Sequence, residues 1–132
     1  MELQVLVIEP EKVPELKTIE NSLNSLQNIV GGFIECVTLD ENTILYCNDE
    51  GKLEGLQGNR RLGNDIIAGT FLICGIDEDG GEISLTDEQI QTWSNRFAEP
   101  EQYDTVYGDD QDISHLLRFV LNEQEFEEDW EV

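Results

Sequence analysis

The sequence predicts an α+β fold: a mixed or antiparallel sheet of about five strands packed against two helices, followed by an acidic C-terminal helix and tail. Three observations predict it. Short β-rich runs bounded by turn residues recur at Gln4–Ile8, Glu15–Ile19, Phe33–Leu39, Thr43–Cys47 and Thr70–Gly75. Two other segments, after Ser22 and after Thr86, space their apolar residues along one helical face. Charge is the third. Residues 1–76 carry 12 acids and 5 bases, a net of −7, and residues 77–132 carry 18 acids and 2 bases, a net of −16, which together make the chain's −23. The chain accordingly divides into a core domain at 1–100 and an acidic extension at 101–132.

Each element has its own reason. Gln4–Ile8 is an apolar run stopped by Glu9-Pro10, and Glu15–Ile19 alternates like a half-exposed strand. Ser22 caps a helix whose face is Leu23, Leu26, Ile29 and Val30, and Gly31-Gly32 ends it with a residue free to turn left-handed. Phe33–Leu39 and Thr43–Cys47 form a hairpin about Asp40-Glu41-Asn42, and Asn48–Gly51 is a further turn. Residues 52–64, rich in Gly and Asn, are expected as an irregular loop. Thr70–Gly75, within Asp65–Ile76, is the most apolar strand and suits a central or parallel place in the sheet. After the acidic turn Asp77–Glu82, Thr86 caps a helix with Asp87 and Glu88 in its first turn and Gln89 at the capping-box position. Ile90, Trp93 and Phe97 make its buried stripe, and Pro100 stops it. A last helix is expected from Asp112, with Ile113, Leu116, Leu117, Val120 and Leu121 on one face.

The totals bound the class. A chain of 132 residues buries roughly 65–70% of its extended surface as one domain. Cys36, Cys47 and Cys74 lie in apolar strand-like runs with no CxxC spacing, which reads as reduced core thiols in a cytosolic protein. No basic stretch followed by an apolar run opens the sequence, and no run reaches the ~20 apolar residues of a membrane span. A soluble protein of the cytoplasm is expected.

Residues 5–98 resemble a known family. The blocks are VLVIEPEKVPELKTIENSLNSLQNIVGGFIE, CNDEGKLEGLQGNRRL, DIIAGTFLICG and LTDEQIQTWSNRF. Gln27–Glu35, Asn48–Leu53, Asn59-Arg60 and Asp65–Gly75 are the most specific. Together they resemble the domain-of-unknown-function family "three-eight-four-six", small domains of phages and mobile elements of Gram-positive bacteria. The resemblance implies a mobile-element origin and no particular activity. Members usually read GLP before the Asn-Arg pair, where this chain has Gly55-Leu56-Gln57-Gly58, and often carry a longer loop than Arg61–Asn64 after it.

The chemistry of sites is sparse. The single histidine, His115, has no partner spacing for a dyad or a metal, and no cysteine has a neighbouring base to lower its pKa. No phosphate loop and no GxGxxG is present. Asp77, Asp79 and Glu88 have the outer spacing of a calcium loop, but Gly81 and Glu82 stand where an oxygen ligand and a glycine are required. No catalytic set, no metal site and no cofactor is therefore expected, and the protein reads as not an enzyme. Asn59, Arg60 and Arg61 are the sharpest local feature. Two roles fit them: gripping an anion or nucleotide phosphate, or neutralising nearby carboxylates and pinning the loop to the fold.

The charge sets the functional expectation. Such a chain repels nucleic acid and anionic membranes and attracts a basic partner. A compact domain of this length is about 36 Å across, and duplex DNA of that length carries roughly 21 charges, close to this chain's 23. The expectation is a non-enzymatic phage or mobile-element protein that binds and inhibits a basic host protein, of the anti-defence or anti-restriction type, as a nucleic-acid mimic in the host cytoplasm. Asp109, Asp110, Asp112, Glu123, Glu125, Glu127, Glu128, Asp129 and Glu131 carry the charge, with Trp130 and Phe126 as apolar anchors. The alternative is a small-molecule or nucleotide-sequestering protein that uses Asn59, Arg60 and Arg61. Acidity as plain solubility or salt adaptation is a third reading.

Overall fold

Val5–Ile8 and Phe71–Cys74 are uninterrupted apolar runs, and a strand without a polar face must be covered on both sides. The computed structural model, which describes residues 1–103, meets that demand with a sheet enclosed between two layers. In chain order its elements are β1 (Glu2–Ile8), β2 (Glu15–Glu20), α1 (Leu23–Val30), β3 (Ile34–Asp40), β4 (Thr43–Asn48), β5 (Gly58–Leu62), β6 (Asp65–Ala68), β7 (Phe71–Ile76), β8 (Glu82–Ile83) and α2 (Asp87–Arg96). The main sheet runs β2-β1-β7-β4-β3 and is antiparallel throughout. β1 pairs with Phe71–Ile73 of β7, and β8 takes over the same edge at Gly75 and Ile76, which makes six strands. β7 therefore holds the central place expected of the most apolar run. The helix expected from Asp112 and all the acidic positions from Asp109 to Glu131 lie outside the described residues.

Alternation divides the core between the two faces. Leu3, Val5, Val7, Leu72, Cys74 and Tyr46 point to one side, where Leu26 and Val30 of α1 cover them. Leu6, Ile8, Leu45, Cys47, Phe71 and Ile73 point to the other, under Phe97, Leu85 and Ile67. Ser22 caps α1 by accepting from the Ser25 N–H, and Gly31 closes it at φ 82°, a conformation any side chain would strain. Thr86 and Gln89 form the capping box of α2. The Gln89 amide also donates to the Asn42 carbonyl at 3.0 Å and the Thr43 hydroxyl at 2.9 Å, which ties the helix to the β3–β4 turn. Phe97 meets Phe71 edge-on at 5.3 Å and stacks on Trp93 at 6.2 Å.

Two expectations are corrected. Residues 52–64 are not all irregular: Gly58–Leu62 is β5, paired with β6 in a separate hairpin that packs on the α2 side of the sheet. The strand is disguised because its buried residues are Asn59 and Arg60 rather than apolar ones. The strand expected at Thr70–Gly75 is present as β7, and β6 precedes it, set off by Gly69, whose φ is 85°. Of the three cysteines expected in the core, Cys47 and Cys74 are buried, but Cys36 is exposed on the edge strand β3.

Phe97 closes the core beneath α2, so Phe97→Ala is expected to cost about 3–5 kcal/mol in urea denaturation. Thr86→Ala, which removes only a cap, should cost about 1 kcal/mol. Equal costs would show that α2 is not what seals this face.

Candidate functional site

Two places gather polar chemistry among the described residues. The first is the Asn59-Arg60 pair. Both side chains are wholly buried. The Asn59 amide nitrogen donates to the Ile8 carbonyl at 2.8 Å and the Gly69 carbonyl at 2.9 Å, so it joins the end of β1 to the β6–β7 break. Its oxygen accepts from Arg60 Nη1 at 2.8 Å. Arg60 Nε and Nη2 both donate to the Phe97 carbonyl, at 3.1 and 3.0 Å, and Nη2 also reaches the Lys12 carbonyl at 2.6 Å. Phe97 is the C-cap of α2. Arg60 thus satisfies a helix-terminal carbonyl and sets a cation at the negative end of the helix dipole.

Burial pulls the Arg60 pKa down, and the nearby Glu101 carboxylate pushes it back up. An arginine stays charged in such a setting. The turn that offers the Lys12 carbonyl is itself unusual, with Glu11 at φ 65° in the left-handed region. Arg61, half-buried next in line, donates its N–H to Glu101 at 2.9 Å, and its carbonyl accepts from Arg96 at 3.2 Å. Tyr103 donates to the same Glu101 and lies against Gly58, where an added Cβ would come within 2.9 Å of the tyrosine Cβ. Of the two roles considered for this triplet, the geometry gives Asn59 and Arg60 the pinning one. Their donors are directed at main-chain carbonyls and, for Arg60 Nη1, at the Asn59 side-chain oxygen, and neither has surface to offer an anion. Sequence reasoning singled out the pair but not its acceptors, because a backbone carbonyl leaves no signature in side-chain identity.

The second place had no signal of its own in the sequence. A groove of about 760 Å³ opens between the β3–β4 end of the sheet and the β5–β6 hairpin. Val37, Leu62 and Ile67 supply apolar walls, while Glu35, Asp49, Glu50 and Asp65 stand around it with one base, Lys52. Lys52 is paired with Asp65 and so bridges the turn after β4 to the start of β6. Asn48 organises that turn: its oxygen accepts from the Glu50 N–H at 2.7 Å, and its amide donates to the Val30 carbonyl at 3.2 Å. The Cys47 thiol, in the lining, reports the local field. Burial, then Glu35, Asp49 and Asp65, push its pKa up to about 11. That is the opposite of an activated nucleophile. Among the described residues, no group of three or more His, Cys, Asp or Glu side chains is placed to hold a metal ion, and no helix is long and apolar enough to cross a membrane.

A family model described as "Domain of unknown function (DUF3846)" matches residues 1–98. No curated protein and no solved structure matches the chain.

Two outcomes test this geometry. Asn59→Ala removes a donor from the Ile8 and Gly69 carbonyls and an acceptor from Arg60, and is expected to cost about 2–4 kcal/mol by chemical denaturation. A loss below about 0.5 kcal/mol would show that solvent or another donor replaces the amide. The thiols set a pH dependence. Cys47 rises from 9.0 to about 11 and Cys74 from 9.0 to about 12 on folding. Their contribution to stability is full below the unfolded value and disappears as pH climbs through the folded values. Denaturation midpoints should therefore fall from about pH 9 upward, and Cys47→Ala with Cys74→Ala should flatten that fall. A thiol reagent at pH 8 should label Cys36 at once and the other two only on unfolding. Three equally fast thiols would contradict the burial.

Proposed function

The chain belongs to the DUF3846 family, whose description assigns no activity, and from that premise we propose that it is a non-enzymatic protein of a phage or mobile element that binds and inhibits a basic host protein in the host cytoplasm. The observation that carries the proposal is the charge. A net of −23 over 132 residues, with −16 of it beyond residue 76, costs folding stability through self-repulsion. A cationic partner surface offsets that cost and is steered toward it. The contact is assigned to Asp109, Asp110, Asp112, Glu123, Glu125, Glu127, Glu128, Asp129 and Glu131, with Phe126 and Trp130 as anchors. The similarity in total charge to an equal length of DNA supports a mimic of nucleic acid, which would occupy the partner's own binding groove.

The alternative, a nucleotide held by Asn59, Arg60 and Arg61, is not favoured by the geometry. It asks for donors that Asn59 and Arg60 already direct at carbonyls inside the fold.

The test uses two full-length baits in bacterial lysate at low and moderate salt, read by mass spectrometry. One is the native chain. In the other, Glu123, Glu125, Glu127, Glu128 and Glu131 become Gln and Asp129 becomes Asn. A basic nucleic-acid-binding protein should be retained by the native bait, lost as salt rises, and held at least about tenfold less by the variant. Equal retention by both baits would contradict the proposal.

A further inference from the structure

We infer that the outer edge of β3, with the groove beside it, is a second binding surface that takes an extended basic segment of a partner protein as an added strand. This does not rest on the proposal above, whose contacts lie at 109–131; it places a contact within the matched domain.

The first observation is main-chain. β3 is the last strand of the sheet, and among the described residues nothing pairs with its outer edge. About half of the backbone donors and acceptors of this seven-residue strand, those turned away from β4, are thus presented to a further strand. The second is the groove. β3 pairs Glu35 with Cys47 and Val37 with Leu45, so Glu35 and Val37 share the face on which the groove lies. A strand added at this edge sends every second side chain to that same face. There a Lys or Arg meets what suits it: apolar wall for its stem, at Val37 and Leu62, and carboxylates for its head, at Glu35, Asp49 and Glu50. The volume, about 760 Å³, has room for more than one such side chain. Phe33, immediately before β3, and Leu53, on the groove's rim, are 74% and 70% exposed and add apolar contact at that end.

Charge selects the occupant. A second copy of this chain brings −23, and residues 104–132 bring 10 acids against 1 base, a net of −9, so each meets like charge at the groove. Nucleic acid is repelled for the same reason. β2, the opposite edge, has Lys17 within it, paired with Glu15, and lies across the sheet from the groove. A basic, alternating segment of another protein is what complements β3.

The test uses the full chain, isotopically labelled, titrated with a synthetic ten-residue peptide that alternates Val and Lys. Amide shifts and slowed hydrogen exchange are expected at Ile34–Asp40 and around Asp49–Lys52. The E35Q/D49N/E50Q variant should bind at least fivefold more weakly. The same peptide N-methylated at every residue keeps its charge but cannot donate to a strand, and should bind at least tenfold more weakly. A Val-Glu peptide should not bind. Equal affinity for the methylated peptide, responses confined to residues 104–132, or no response at β3 at millimolar peptide would each overturn the inference. Responses confined to 104–132 would do so while leaving the acidic-extension proposal standing.

Discussion

The placement of the β5–β6 hairpin and of the end of α2 hangs on one buried cation. Arg60 has no exposed surface, yet its guanidinium is held chiefly by neutral carbonyls, with Glu101 nearby. Burying a charge is unfavourable unless its donors are met, and the planar fork of arginine is what allows three sides to be met at once. One side fixes the end of α2 through Phe97, another fixes the Pro10–Lys12 turn, and the third fixes Asn59, which in turn holds the ends of β1 and β6. Three stretches far apart in sequence, at 8–12, 59–69 and 97, are joined through this one pair of side chains. Lysine, with a single compact head, could not reproduce that geometry.

This node also explains why the β5–β6 hairpin sits where it does. Among the described residues the hairpin pairs with no other strand, and a two-stranded ribbon alone is marginal in water. It gains its place by laying Leu62 and Ile67 on the α2 face and by anchoring Asn59 and Arg60 beneath. Its far end, joined by Lys52 to Asp65, forms one wall of the acidic groove. Structural chemistry at the buried end of the hairpin thus shapes a surface at the exposed end. Glu35, Asp49, Glu50 and Asp65 lie in the less acidic part of the sequence and still converge on that surface.

Much of the fold was legible in side-chain pattern. The caps at Ser22 and Thr86, the left-handed glycine after Val30, the β3–β4 hairpin and the central place of Phe71–Ile76 all follow from local rules. β5 was hidden because its inward residues are polar, and a pattern reader scores GNRRL as loop. β8 was hidden because two residues carry no period. The Asn-Arg pair stood out as a motif, yet its role was open, because whether an arginine faces an anion or three carbonyls depends on contacts up to 48 residues away. The groove was not legible at all: its carboxylates come from three separate turns and strands, and they meet only through the register of β3 on β4 and the packing of the β5–β6 hairpin.

Native-state hydrogen exchange on Arg60→Met isolates what the guanidinium fork holds. Met keeps the apolar stem and removes the fork. Amides of β5, β6 and the last turn of α2 are expected to lose protection by a large factor, while those of β1, β4 and β7 keep theirs in proportion to global stability. Uniform loss across all strands, or no preferential loss in the hairpin, would contradict that expectation and would mean that apolar packing alone holds the hairpin in place.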